Sequence, residues 1–176
     1  MVDEMKEIRW EIIKHSEIDE LTLTEIAMIK DQYWKHGVES QLIWINNNIR
    51  EDDYHLCGFL NRKMVAYMAI IEGNVEIDSQ RSSFLGLSNV CVSNEVRRKG
   101  IGSELMLQAN RFISKQEKAG LLLCKDSLVP FYQKNSWSLM SYQNAIVGDG
   151  PYDKIIMFYS CSKGNTVKSI QIERNF

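Results

Sequence analysis

Leu85 to Gly102, LGLSNVCVSNEVRRKGIG, reads as a strand, a short basic turn and a helix that starts at its glycines. The apolar alternation of the strand changes phase. Leu85 and Leu87 share one face, and Val90 and Val92 share one face, but the two pairs stand three residues apart. A strand has a period of two, so a one-residue slip at Ser88-Asn89 restores a single apolar face. Such a slip is the mark of a β-bulge, which bends a strand and leaves backbone groups unpaired. Arg97, Arg98 and Lys99 follow, then Gly100-Ile101-Gly102. Glycines at a helix start let backbone amides approach a ligand closely. The free N–H groups and the helix dipole favour an anion there, such as a pyrophosphate.

Outward from the glycines, Ile101, Leu105, Met106, Ala109, Phe112 and Ile113 fall at helical spacing on one face. Gly120 is the expected C-cap. Leu121-Leu122-Leu123-Cys124 then forms a short continuous apolar run, as in a strand buried on both faces.

Arg97-x-x-Gly100-x-Gly102 resembles the Q/R-x-x-G-x-G/A acetyl-CoA signature of the GCN5-related N-acetyltransferases. The preceding V-x-V pattern, Val90-Cys91-Val92, and the strand after the helix strengthen the likeness. So does Pro130-Phe131-Tyr132-Gln133-Lys134-Asn135-Ser136-Trp137, which resembles the F-Y-x-K-x-G-F segment of that family. Ser136 departs from the pattern, standing where the family has glycine. The Asp126-to-Trp137 run and the late strand after Gly150-Pro151 also resemble, more weakly, aminoglycoside 2′-N-acetyltransferases and nodulation acyltransferases.

The resemblance implies an α/β fold: a mixed, mostly antiparallel sheet flanked by helices, with a bulged central strand. It also implies an acetyl-CoA-dependent enzyme that moves an acetyl group to a primary amine by direct attack in a ternary complex. Holding the pyrophosphate falls to the turn Arg97, Arg98, Lys99, Gly100, Ile101, Gly102 and Ser103, through backbone amides and basic side chains. Val90, Cys91 and Val92 lend backbone groups to the pantetheine arm, and Asp126 and Tyr132 are further cofactor contacts. A backbone N–H freed by the bulge, within Asn89 to Cys91, polarises the thioester carbonyl. Tyr132 matches the frequent general-acid tyrosine, and packing its ring is the alternative role. The base is open among Glu72, Glu76, Asp126, His36 and His55, or a water held by Ser88 and Asn89. Ser88 stands where the aminoglycoside enzymes carry an acidic residue, which argues against a polycationic acceptor. The acceptor is read as a small-molecule amine. A non-catalytic acyl-CoA sensor and a protein lysine or N-terminal acetyltransferase are the alternatives.

The 176 residues are read as one domain, 1–176. The net charge of −2 argues against a nucleic-acid partner. No apolar run spans a bilayer, and MVDEMKEIRW lacks the apolar stretch of a secretory signal. Cys57, Cys91, Cys124 and Cys161 are widely spaced and contain no C-x-x-C pair. They suit core or free thiols in a reducing cytoplasm, and no metal site is read.

In chain order, Glu7–Lys14 reads as a strand with Ile8, Trp10 and Ile12 on one face. Ser16 reads as the N-cap of a helix running to about Trp34, with Leu21, Ile26, Ile29 and Tyr33 apolar, and Gly37 breaks it. Glu39–Ile49 is a second helix, with Leu42, Ile43, Trp44 and Ile45 apolar. The resemblance assigns both helices and their joining loop (Trp34, His36, Glu39) to the acceptor pocket, and Tyr33, Trp34 and Trp44 hint that it is closed. Tyr54–Leu60 and Met64–Glu72 read as a hairpin across Asn61-Arg62-Lys63. Glu72–Arg81 is either a loop or an extension of that hairpin. Ser138–Tyr142 and Lys154–Ser160 read as the last two strands, joined by a turn-rich loop. The polar tail, Cys161 to Phe176, either adds an edge strand or stays loose, and an edge would offer pairing to a second copy in a homodimer.

Overall fold

The structure is a computed structural model and describes residues 7–161 and 165–176. Part of the N-terminal decapeptide, and the 162–164 portion of the tail, lie outside the described residues. The fold is α/β, with a mixed, mostly antiparallel sheet. The chain divides into two compact units, one running to Ala69 and including Asn89–Gln108, the other Ile70–Ser88 with Ala109–Phe176.

The first unit begins with strand β1, Arg9–Lys14, paired antiparallel to β2, Tyr54–Leu60, from Arg9↔Phe59 to Lys14↔Tyr54. Trp10 is half-buried, whereas Ile12 is 39% exposed, so the expected apolar face of β1 is incomplete. Ser16 is not the helix cap. It lies in a short 3₁₀ turn, and helix α1 is Glu20–Asp31, capped by Asp19, whose carboxylate accepts from the Thr22 N–H at 2.8 Å. A carboxylate satisfies a helix-end donor better than a hydroxyl one turn too early. The helix stops before Tyr33 and Trp34, and Leu21 points to solvent. Gly37, at φ +87°, opens helix α2, Val38–Asn48, so Glu39 is helical rather than in the loop. Ile45 faces the core, but Ile43 is exposed.

Strand β3, Lys63–Ile77, is longer than the sequence reading. Asn61 and Arg62, both at positive φ, make the tight two-residue turn that the twist of a hairpin prefers. Asp78 and Ser79 make a second such turn, so Glu72–Arg81 is the hairpin extension, running into strand β4, Gln80–Val92.

In the second unit the hydrogen-bonded strand order is β6-β9-β5-β4-β3-β10-β7-β8. Its strands after β4 are β5, Ala119–Cys124; β6, Ser138–Leu139; β7, Ser141–Val147; β8, Gly150–Pro151; β9, Ile155–Tyr159; and β10, Thr166–Ile172. The parallel pairs are β4 with β5, Phe84↔Ala119 to Leu87↔Leu122, and β7 with β10. The loop expected after Tyr142 is instead mostly strand: β7 continues inward through Ala145 and Val147 and turns at Gly148-Asp149. The largest correction concerns the tail. Strand β10 is not a loose segment: it pairs with β7 from Thr166 to Ile172, and over Ile170–Ile172 it is no edge either, because β3 pairs with it on the other side. Val167, Ile170 and Ile172 are at most 3% exposed and belong to the core of this unit. Asp78 Oδ1 accepts from the N–H groups of Lys168 and Ser169, pinning the turn to the strand. With both sides paired, the Ile170–Ile172 part of β10 offers no pairing to a second copy.

Helix α3, Ile101–Lys115, buries Ile101, Leu105, Met106, Ala109 and Ile113, as its periodicity predicts. Gly120 does not cap it. Glu117, at φ +55°, follows the helix, and Gly120 lies within β5. A Cβ at Gly120 would lie 2.8 Å from the Trp137 ring, so the glycine serves close packing. Trp137 is 2% exposed and donates from Nε1 to Asn110 at 2.8 Å. Helix α4, Val129–Lys134, leads into it through Asn135 and Ser136. Ser136 sits at φ +72°, so the turn keeps a left-handed geometry with a residue that strains it. Ser136→Gly is therefore expected to raise unfolding free energy in urea by about 0.5–1 kcal/mol.

Candidate active site

The first unit carries the bulged end of β4 and the basic turn. Asn89 takes φ +54° inside the strand, at the point where the sequence alternation changes phase. Asparagine tolerates this left-handed conformation better than most side chains, because it is short and polar. The registered ladder from β4 to β5 has ended two residues earlier, at Leu87. After the slip, Cys91 is the buried side chain at 1% exposure, while Val90 and Val92 are only half-buried. The expected apolar valine face is thus largely open, and the cysteine packs into the core.

The Cys91 thiol donates to the Asn89 carbonyl at 3.0 Å, and burial pushes its pKa up to about 12. It stays a thiol near neutrality and is a poor nucleophile. Lys30 of α1 is buried at 1% exposure and lies within electrostatic range of this thiol. Its Nζ sits 3.7 Å from the centroid of the Trp44 ring and has no hydrogen-bond partner among the described residues. Burial lowers its pKa to about 8. No sequence signal flagged Lys30, since a lysine at an apolar helical position usually snorkels to water.

Val92 shows a contact that the sequence reading missed. Tyr33, just beyond α1, donates its hydroxyl to the Val92 carbonyl at 2.6 Å and accepts from the Val92 N–H at 3.0 Å. The same oxygen accepts from Arg97 Nε at 3.2 Å, and the guanidinium lies 4.4 Å from the ring centroid. Tyr33 is therefore not a core position of the helix. After β4, Ser93 is buried and its N–H donates to Val65, fixing where the strand ends. A 3₁₀ turn over Asn94–Val96 follows, with Lys63 and Glu95 paired at 2.7 Å.

Arg97, Arg98, Lys99 and Gly100 are all exposed. Gly100 has φ +82°, and a Cβ there would meet nothing within 4 Å. The Glu104 N–H bonds to the Gly100 carbonyl at 3.1 Å, so the amides of Ile101, Gly102 and Ser103 precede the first helical bond. Three exposed cations, an open backbone and a helix start suit a pyrophosphate, which is the group CoA would present. The first unit thus brings together Asn89 to Val92 and Arg97 to Ser103.

Ser88, Asp126 and Tyr132 belong to the second unit. Ser88 is half-buried, and Asp126 is exposed in a 3₁₀ turn. Tyr132 is 6% exposed in α4, its carbonyl accepting from the Trp137 N–H at 3.1 Å. Among the candidate bases, Glu72 is ion-paired with Lys118, and Glu76 is exposed. His36 is exposed in the loop before α2. His55 is wholly buried, with one ring nitrogen 2.8 Å from His15 and the other 3.0 Å from the Tyr67 hydroxyl. That environment makes His55 structural and removes it from the candidate bases.

Comparison with known proteins identifies the family and the fold. Residues 51–138, half of the chain, match the model of the acetyltransferase (GNAT) domain. The chain is similar in fold to Escherichia coli ElaA, with 22% identity and a TM-score of 0.64 over 88% of this chain and 100% of that one. It is similar to an acyl-CoA N-acyltransferase from Pseudomonas aeruginosa, with 15% identity and a TM-score of 0.64 over 88% and 100%. An aminoglycoside 6′-N-acetyltransferase complexed with coenzyme A aligns over 84% of this chain and 95% of its own, at 12% identity and a TM-score of 0.61. The chain belongs to the GNAT acetyltransferase family, as an N-acetyltransferase with acetyl-CoA as its acyl donor.

Proposed function

We propose that the chain acetylates a primary amine of a small molecule by direct attack in a ternary complex, as a single domain spanning 1–176 in the cytoplasm. Bound acetyl-CoA supplies the thioester carbonyl and the thiolate leaving group. The backbone of Asn89 to Cys91 donates to the carbonyl oxygen, Ser88 and Asn89 hold the water that relays the amine proton, and Tyr132 protonates the leaving sulfur. The turn from Arg97 to Ser103 holds the pyrophosphate, Val90 to Val92 hold the pantetheine arm, and Asp126 adds a cofactor contact.

The observation that carries direct attack is the state of Cys91. It is the cysteine on the bulged strand, and its buried, high-pKa thiol does not suit an acyl-cysteine route. The acceptor reading draws on Lys30. With a pKa of about 8 its ammonium is mostly protonated at neutral pH, and a buried cation near Cys91 repels a polycationic acceptor. Together with Ser88 in place of an acid, this favours amines of low charge over aminoglycosides. Four free cysteines suit a reducing compartment. Among the described residues, no helix is long and apolar enough to cross a membrane.

The test measures thiol release from acetyl-CoA across small amines, aminoglycosides and lysine peptides. Turnover confined to peptides would overturn the small-molecule reading. In the same assay Tyr132→Phe should lower kcat by about a hundredfold, far more than it lowers CoA affinity. An unchanged kcat would leave Tyr132 with a packing role alone.

A further inference from the structure

We propose that Tyr33 is a gate on the pantetheine seat, its hydroxyl holding the two Val92 backbone groups with which the pantetheine arm pairs. The inference rests on the assignment of Val92 to that arm. A strand residue offers one N–H and one C=O, and a pantetheine amide pairs with them as another strand would. A phenol hydroxyl is both donor and acceptor, so it can play both parts. Here it does so at 2.6 Å to the carbonyl and 3.0 Å from the N–H. The bond from Arg97 Nε uses its remaining lone pair, so the hydroxyl is fully committed. Phenol and amide cannot bond the same pair of groups at once.

The placement of Tyr33 suits a moving part. It stands one residue past the C-cap of α1, and its side chain is partly exposed. The side chain of neighbouring Gln32 accepts from the Asn94 N–H at 2.9 Å, tying it to the turn after β4. Rotation of the ring away from Val92 also releases Arg97, whose guanidinium lies over it. Opening the gate therefore frees the strand edge and a phosphate-binding side chain together. The observed affinity for a ligand that needs the open state is reduced by the open fraction.

Tyr33→Phe removes the hydroxyl, and with it the bonds to Val92 and Arg97 that hold the ring closed. Calorimetry compares wild type and variant with CoA, with a pantetheine fragment lacking the nucleotide, and with ADP. The gate predicts binding about three- to tenfold tighter for CoA and for the pantetheine fragment, with ADP, which gains only from the release of Arg97, tightened less. The thermal midpoint without ligand should fall, registering the lost hydrogen bonds. Unchanged or weaker binding of the pantetheine fragment overturns the gate, and uniform weakening would make Tyr33 a prop for the strand. A wild-type chain that binds none of the three would remove the pantetheine seat itself, and the gate with it.

Discussion

Gly100→Val is expected to lower CoA affinity at least about a hundredfold while leaving a folded chain. Two properties of the position separate binding from stability. Gly100 adopts φ +82°, a conformation that costs an ordinary side chain about 1–2 kcal/mol and a β-branched one more. Yet a Cβ there would touch nothing within 4 Å, so no core atom has to move. The chain loses only the strain energy, a fraction of the stability of a domain. The ligand loses more, because relief of the strain re-aims the amides of Ile101 and Gly102, and the new side chain fills the approach to them. Calorimetry with CoA measures the first effect, and urea unfolding the second. Gly100→Asn divides the causes, since asparagine accepts a left-handed φ but still adds bulk. Binding lost in both variants points to bulk, and binding lost in valine alone points to conformation. Wild-type affinity in the valine variant would remove the Arg97-to-Ser103 turn as the pyrophosphate seat.

What was legible in the sequence followed local periodicity. The buried face of α3, from Ile101 to Ile113, was set by helical spacing, and the break in strand spacing fell at the left-handed Asn89, although the side chain buried beyond it is Cys91 and not Val90 or Val92. Features set by distant partners were not legible. Nothing near Thr166 announces that β10 lies inside a sheet, because its neighbours β3 and β7 are supplied by residues 75–77 and 141–147. Gly120 looked like a cap because the glycine's other use, admitting Trp137, depends on a side chain 17 residues later. In the site, the glycine turn was legible because its chemistry is local backbone. Tyr33 and Lys30 were not, since each matters through strand β4, roughly sixty residues away in sequence. Ser136 shows the converse: a motif position can lose its glycine and keep the glycine's backbone, with the strain carried locally.

Acid should destabilise this chain early, with His55 as the principal cause. The ring is fully buried, bonded to His15 and to Tyr67, and its pKa is pushed down to about 3, first by burial and then by the charges of His15 and Lys30. The unfolded chain protonates His55 near its ordinary value of 6.5, so between pH 6.5 and 3 the unfolded state holds a proton that the folded state refuses. Stability from this group is complete above pH 6.5 and declines as pH falls, by up to about 1.4 kcal/mol per unit and about 4 kcal/mol over the window. That is a large share of the 5–15 kcal/mol typical of a domain. Urea unfolding of wild type and His55→Gln at pH 7.5, 6, 5 and 4 provides the check, since glutamine keeps donor and acceptor capacity but does not titrate. The variant should start less stable at pH 7.5, because its amide cannot bridge both partners as the ring does, and should then lose less between pH 6 and 4. Parallel curves would place the acid sensitivity elsewhere, and the buried His15–His55–Tyr67 chain would then be a packing feature without a role in proton linkage.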